Sequence, residues 1–188
     1  MSKTIKVALA GAGAFGIKHL DGIKNIEGVE VVSLISRDIE KTKEVAAQYG
    51  IAHATTELND ALALKEVDAV ILCTPTQMHA SQTLACLKAG KHVWSEKPIA
   101  NSLKAGQELL RMARQRGLRL WGAPITVQSP QFAFMARKVA SGDLGRIAAA
   151  HAFYGHEGPN WSSFFYEKGG GSLPDLAVYN LTSLTGLL

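Results

Sequence analysis

A doubly wound α/β fold, with a parallel sheet covered on both faces and the start of a second α/β domain behind it, is what three features of this 188-residue chain predict. Apolar runs alternate with amphipathic segments closed by glycine, the pattern of strands joined by crossover helices. Val67-Asp68-Ala69-Val70-Ile71-Leu72-Cys73 is almost unbroken apolar sequence, as a strand buried on both faces requires. Gly11-Ala12-Gly13-Ala14-Phe15-Gly16 stands directly between the apolar run Ile5 to Ala10 and a helix-like segment. A glycine turn in that position is the signature of this class of sheet.

In chain order, Ile5 to Ala10 is the first strand and about Ala14 to Asn25 the first helix. Glu30 to Ser36 returns as a strand, followed by Ile39 to Tyr49 as an amphipathic helix stopped at Gly50. Ile51 to Ala54 reads as a short strand, Leu58 to Ala63 as a brief helix, and Val67 to Cys73 as the centre of the sheet. Gln77 to Ala89 is a helix ended by Gly90, His92 to Ser95 a strand, Ser102 to Arg116 a helix ended by Gly117, and Leu118 to Gly122 the sixth strand. Six strands with crossover helices make a Rossmann-type domain over residues 1–122. Beyond it, Ala123 to Pro130 reads as a linker, Gln131 to Ser141 as a helix, Gly145 to Tyr154 as a strand, and His156 to Gly171 as a loop rich in glycine and aromatics. Asp175 to Leu188 reads as a helix. A lone helix and strand cannot bury their apolar faces without more sheet. Residues 123–188 are therefore expected to begin a substrate domain, and the chain to be the N-terminal portion of a longer protein.

Composition narrows the function classes. With 47% apolar residues the chain can bury a real core. No run of eighteen apolar residues and no signal-peptide pattern is present, which predicts no membrane partner and a cytoplasmic address. The net charge of +4 comes from 20 basic and 16 acidic residues, with Arg111, Arg114, Arg116 and Arg119 scattered along a solvated helix. A nucleic-acid binder would cluster such charges and interleave aromatics, so none is expected as a partner. Cys73 and Cys86 lack Cys-x-x-Cys spacing and read as reduced structural thiols, with no metal site.

Each glycine of the turn has a mechanical task. Gly11 permits the tight bend, Gly13 lets the backbone approach a pyrophosphate, and Gly16 lets helix and strand pack closely. Ala14 and Phe15 open the helix whose free N–H groups face the phosphates. The other reading is a glycine-rich turn that binds nothing. At the end of the second strand, Ser36-Arg37 carries no carboxylate against a 2′-phosphate, and a guanidinium can clamp one, so NADP is favoured and NAD is second choice. The second choice would have Asp38 take the ribose hydroxyl. Thr74-Pro75 and His79 follow the central strand at the carboxyl edge, where ligands bind in open α/β sheets. His79 reads as an orienting residue rather than a catalyst. Ser95-Glu96-Lys97-Pro98 ends the next strand at that same edge, aiming a lysine over a bound substrate.

These segments together resemble the Gfo/Idh/MocA family of nicotinamide-dependent sugar and polyol oxidoreductases. The resemblance runs from Thr74-Pro75 through Ala89-Gly90-Lys91-His92-Val93 to Glu96-Lys97-Pro98. It continues through Ser141-Gly142-Asp143-Leu144-Gly145 to Gly169-Gly170-Gly171-Ser172-Leu173-Pro174-Asp175-Leu176-Ala177-Val178-Tyr179. It implies that Lys97, Asp175 and Tyr179 form the catalytic group, with Gly11, Gly13 and Gly16 on the dinucleotide and a sugar, polyol or diol as substrate. Tyr179 stands where many members have His, as in dihydrodiol dehydrogenase-like and glucose–fructose oxidoreductase-like members. The family also runs past this chain's length into an open sheet that is its usual association surface, which implies a homo-oligomer for a full-length form.

The residues themselves admit that chemistry. Asp175 and Tyr179 are four apart and share a helix face. A phenol titrates near pH 10, and a lysine ammonium beside it lowers the barrier to proton exchange. Asp175 can equally serve the helix dipole and Tyr179 a core. His151, His156, Trp161, Phe164, Phe165 and Tyr166 either wall a sugar pocket or pack. The rival function is a truncated, catalytically inactive nucleotide-binding protein.

Overall fold

The computed structural model describes residues 3–124, 126–155, 163–166 and 170–188. Six strands, β1 Ile5–Ala10, β2 Val29–Ile35, β3 His53–Thr55, β4 Ala69–Leu72, β5 His92–Ser95 and β6 Leu120–Gly122, form one sheet in the order β3-β2-β1-β4-β5-β6. Every pairing is parallel. The crossovers are helices: α1 Ala14–Ile23, α2 Ile39–Gln48, α3 Leu58–Ala63, α4 Thr76–Lys88 and α5 Leu103–Gln115. This is the doubly wound Rossmann sheet the sequence predicts, with β1 and β4 at its centre.

The period-two alternation of β1 divides the core. Ala8 and Ala10 join Val70, Leu72, Cys86, Leu87 and Leu109 on the face covered by α4 and α5, while Leu9 joins Leu20, Leu34 and Ala46 beneath α1 and α2. Both faces are dry, which is why the central strands read as continuous apolar runs rather than alternating ones. Two of the crossover helices start at side-chain caps. Asp38 accepts from the N–H groups of Glu40 and Lys41, both at 3.2 Å, and Ser102 accepts from Ala105 at 3.2 Å. Ser102 is thus the cap of α5 and not its first residue. At the opposite edge of the sheet, buried Lys91 donates to the carbonyls of Leu64 and Val67 at 2.9 and 2.8 Å, tying the entry to β4.

The chain divides into two compact units, Met1–Ala123 and Pro124–Leu188. The second holds α6 Pro130–Ala140 and α7 Ser172–Leu187, with single 3-10 turns at Thr126–Gln128 and Ser163–Tyr166. Within it, a Cβ on Gly186 would lie 2.8 Å from Phe132, so the end of α7 packs tightly on α6. One expectation fails here. Gly145 to Tyr154 has no strand; the segment is irregular and exposed apart from half-buried Ile147. A strand needs a neighbour for its N–H and C=O groups, and the described residues of this unit offer none. Most of the expected loop from His156 to Gly171, including His156 and Trp161, lies outside the described residues.

Candidate active site

The sheet order reverses between β1 and β4, and the crevice at such a reversal is where open α/β sheets bind ligands. Three turns meet this carboxyl edge: Gly11–Gly16 after β1, Cys73–Pro75 after β4, and Glu96–Pro98 after β5.

The glycine turn has the shape of a cradle. Gly11 has φ +104, and a Cβ there would lie 2.4 Å from the Cys73 carbonyl oxygen, so the bend after β1 is packed directly on the turn after β4. A Cβ on Gly16 would meet the Gly11 carbonyl oxygen at 1.8 Å, whereas one on Gly13 would meet nothing within 4 Å. Two glycines are thus required by close packing, and the third faces open space at the N-terminus of α1. No side chain caps that terminus. Free N–H groups, a positive dipole end and room above Gly13 fit a dinucleotide pyrophosphate. Ala14 is the first residue of α1, and Phe15 is half exposed with the Lys18 ammonium 4.9 Å above its ring.

After β2, Ser36 is half-buried with its N–H on the Thr55 carbonyl, and Arg37 is exposed. Oδ1 of Asp38 caps α2 by accepting the N–H groups of Glu40 and Lys41, and the side chain is half exposed.

The other two turns are held from beneath. Thr74 donates its hydroxyl to Gln82 Oε1 in α4, and Pro75 is the N-cap of that helix. His79 is 1% exposed, with Nε2 2.7 Å from the Thr74 carbonyl oxygen and Nδ1 2.8 Å from that of Pro98. Both ring nitrogens are therefore committed to backbone, and His79 braces the two turns against each other. That geometry suits an orienting role, exerted through the turns it holds. The Lys97–Pro98 peptide is cis, and Lys97 is half-buried.

Glu96 Oε1 is 2.9 Å from His19 Nε2, and Glu96 Oε2 accepts the Lys97 N–H at 3.3 Å. Burial pushes the Glu96 carboxyl up, but the His19 hydrogen bond, the Lys97 N–H and the adjacent positive charges outweigh it, leaving the group below its ordinary range. Sequence reasoning missed His19. The signal was present, because Gly16, His19, Leu20 and Ile23 follow the i, i+3, i+4, i+7 spacing of a buried stripe, and a histidine on that stripe needs a partner.

In the second unit, Asp175 lies in the first turn of α7 and Tyr179 one turn on, both half-buried and on one face. The Tyr179 ring is stacked on Tyr154, with centroids 5.1 Å apart and planes at 17°. The first unit thus gathers Gly11, Gly13, Thr74, Pro75, Glu96 and Lys97 at one sheet edge, and the second carries Asp175 and Tyr179 on one helix. Among the described residues no group of His, Cys, Asp and Glu could hold a metal ion, and no helix is long and apolar enough to cross a membrane.

A dinucleotide cradle beside a lysine-bearing turn defines a class, the nicotinamide-dependent oxidoreductases. Residues 5–123 match the Gfo/Idh/MocA oxidoreductase family, NAD-binding Rossmann fold, and the chain belongs to that family. A 4-carboxy-2-hydroxymuconate-6-semialdehyde dehydrogenase from Sphingobium sp. (strain NBRC 103272 / SYK-6) is 50% identical over 140 residues, 74% of this chain and 44% of the relative. The scyllo-inositol 2-dehydrogenase (NADP(+)) IolU of Bacillus subtilis (strain 168) is 29% identical over 93% of this chain and 56% of its own length. The crystal structure of GenD2 from gentamicin A biosynthesis in complex with NAD superposes on the whole chain with a TM-score of 0.86 at 25% identity, covering 54% of that protein. The chain spans about half the length of the curated relatives it matches.

Proposed function

We propose that this chain carries the dinucleotide site and catalytic lysine of an NADP-dependent dehydrogenase or reductase acting on the carbinol or carbonyl carbon of a sugar, polyol or diol. The observation that carries the reading is the juxtaposition, at one sheet edge of a family member, of an open cradle at Gly13 with the braced turn bearing Lys97. A bound nicotinamide supplies the hydride exchange. Lys97 holds its ammonium on the reacting oxygen and polarises it, Tyr179 gives or takes the hydroxyl proton, and Asp175 orients the hydroxyl and keeps Lys97 charged. Residues 124–188 begin the domain that brings Asp175 and Tyr179 to the substrate.

NADP is the cofactor of choice because Ser36 and the exposed Arg37 guanidinium come first after β2, suited to a 2′-phosphate, while Oδ1 of Asp38 is directed to the α2 cap. A carbinol substrate also accommodates relatives named for a semialdehyde. An aldehyde carbon yields hydride only after a nucleophile has added to it. Burial pushes the thiols of Cys73 and Cys86 up to about 12, with Glu96 adding to the effect at Cys73, so neither offers a thiolate. A hydrate or cyclic hemiacetal, itself a carbinol, is the form that Lys97 and Tyr179 would serve.

Fluorescence titration with NADPH and NADH, followed by assays on aldoses, inositols, vicinal diols and hemiacetal-forming semialdehydes, tests the reading. Tighter binding of NADH would overturn the cofactor assignment. Binding with no turnover of any carbinol by the protein would favour a catalytically silent nucleotide-binding protein.

A further inference from the structure

We propose that His19 is a positioning residue that ties Lys97 to the helix carrying the glycine turn, with Glu96 as the connecting carboxylate. The proposal rests on the reading of Lys97 above and adds a residue that the reaction itself does not require. One oxygen of Glu96 faces His19 Nε2 on α1 at 2.9 Å, and the other takes the backbone N–H of Lys97 at 3.3 Å. A single carboxylate therefore bridges the element that holds the dinucleotide and the peptide that carries the catalytic ammonium. Both side chains are largely buried, at 23% and 17% exposure. Trp94 of β5 stands edge-on to the imidazole, with centroids 6.2 Å apart, and walls one side of the ring.

The chemistry of such a pair favours geometry over stability. Burying a hydrogen-bonded polar pair adds little to folding compared with apolar packing of the same volume, so its contribution lies in specifying an arrangement. The arrangement matters because a lysine displaced by about 1 Å from the reacting oxygen can cost about a hundredfold in rate. Lys97 meets the same carboxylate through its backbone N–H, and its positive charge adds to the hold on Glu96. His79 grips the same turn from the opposite side, through the Pro98 carbonyl. The side chain of His19 joins the turn to α1.

The test compares His19→Leu and His19→Gln with the unmutated chain by hydrogen exchange at the Lys97 amide and by NADPH titration. His19→Leu is expected to speed exchange at Lys97 about tenfold or more while leaving NADPH affinity within about threefold. His19→Gln, which can still donate to Glu96, is expected to restore slow exchange. In turnover assays the Leu variant should lose kcat with an unchanged KM for NADPH, and the Gln variant should recover it. Should His19→Leu fail to fold, Glu96→Gln, which keeps the shape and removes the charge, takes its place with the same expectation. Unaltered exchange at Lys97 in a folded variant would overturn the proposal, as would a Gln variant no better than Leu. Failure of the unmutated chain to bind NADPH would instead refute the cofactor site, and the Lys97 amide would still judge His19.

Discussion

Gly16 shows how a single atom sets the cofactor site. A methyl group there would lie 1.8 Å from a backbone oxygen, which no side-chain rotation relieves. Gly16→Ala is expected to destabilise the chain by about 1–3 kcal/mol and to abolish NADPH binding; a melting curve and a titration matching the unmutated chain would refute this. Arg37 acts in the other direction, as a group added for one ligand. Arg37→Ala should weaken NADPH about ten- to a hundredfold, the worth of a charge-assisted phosphate contact, and leave NADH within about threefold. Lys97→Met should abolish turnover with NADPH affinity retained, and turnover at the original rate would remove Lys97 from the mechanism. At this scale the sequence exposed the residues whose type and spacing are tied to a task, the glycines and the Glu96-Lys97-Pro98 turn. It did not expose partnerships made across the fold. The Glu96 to His19 contact spans 77 positions, and the commitment of Asp38 to its own helix was left open against a role at the ribose.

Elements were legible where local and tertiary preferences agree. β1, α3 and β5 have the limits their patterns suggest, because the apolar runs that define them are local. The segment from Gly145 to Tyr154 failed for the opposite reason. Its apolar and aromatic content suits a strand, but a strand is a property of two segments and the described residues of this unit supply no second one. The cap of α2 offers a check at this scale. Asp38→Ala removes two accepted N–H bonds and should cost about 1 kcal/mol, read as a loss of about 2–4 °C in melting temperature. An unchanged melting temperature would mean that α2 is held by its buried face alone.

Across the molecule, stability should respond to acid through Asp68, where the chain crosses from one sheet edge into β4. The hydrogen bond from Lys3, then the Lys6 N–H, holds its carboxyl below the ordinary carboxylate range against partial burial. A group whose value is lowered by folding stabilises fully above its unfolded value and loses that contribution as pH falls through the folded one. The stability difference between the chain and Asp68→Asn should therefore shrink as pH falls from about 5 to about 2; a difference constant over that range would contradict the ion pair. Ligand linkage gives a second check on the whole. NADPH at a hundred times its dissociation constant should stabilise by about 2.7 kcal/mol, and NADH at the same concentration by less.

The two thiols have a further consequence. Cys73 lies beneath the glycine turn and Cys86 is fully enclosed in α4, both protonated far above neutral pH. Alkylating reagents act on thiolates, so neither should compete with a cysteine introduced on the open surface. Replacement of exposed Lys104 on α5 would then give a singly labelled protein without first deleting either native thiol, and the nucleotide cradle could be followed by an attached probe in otherwise unaltered sequence.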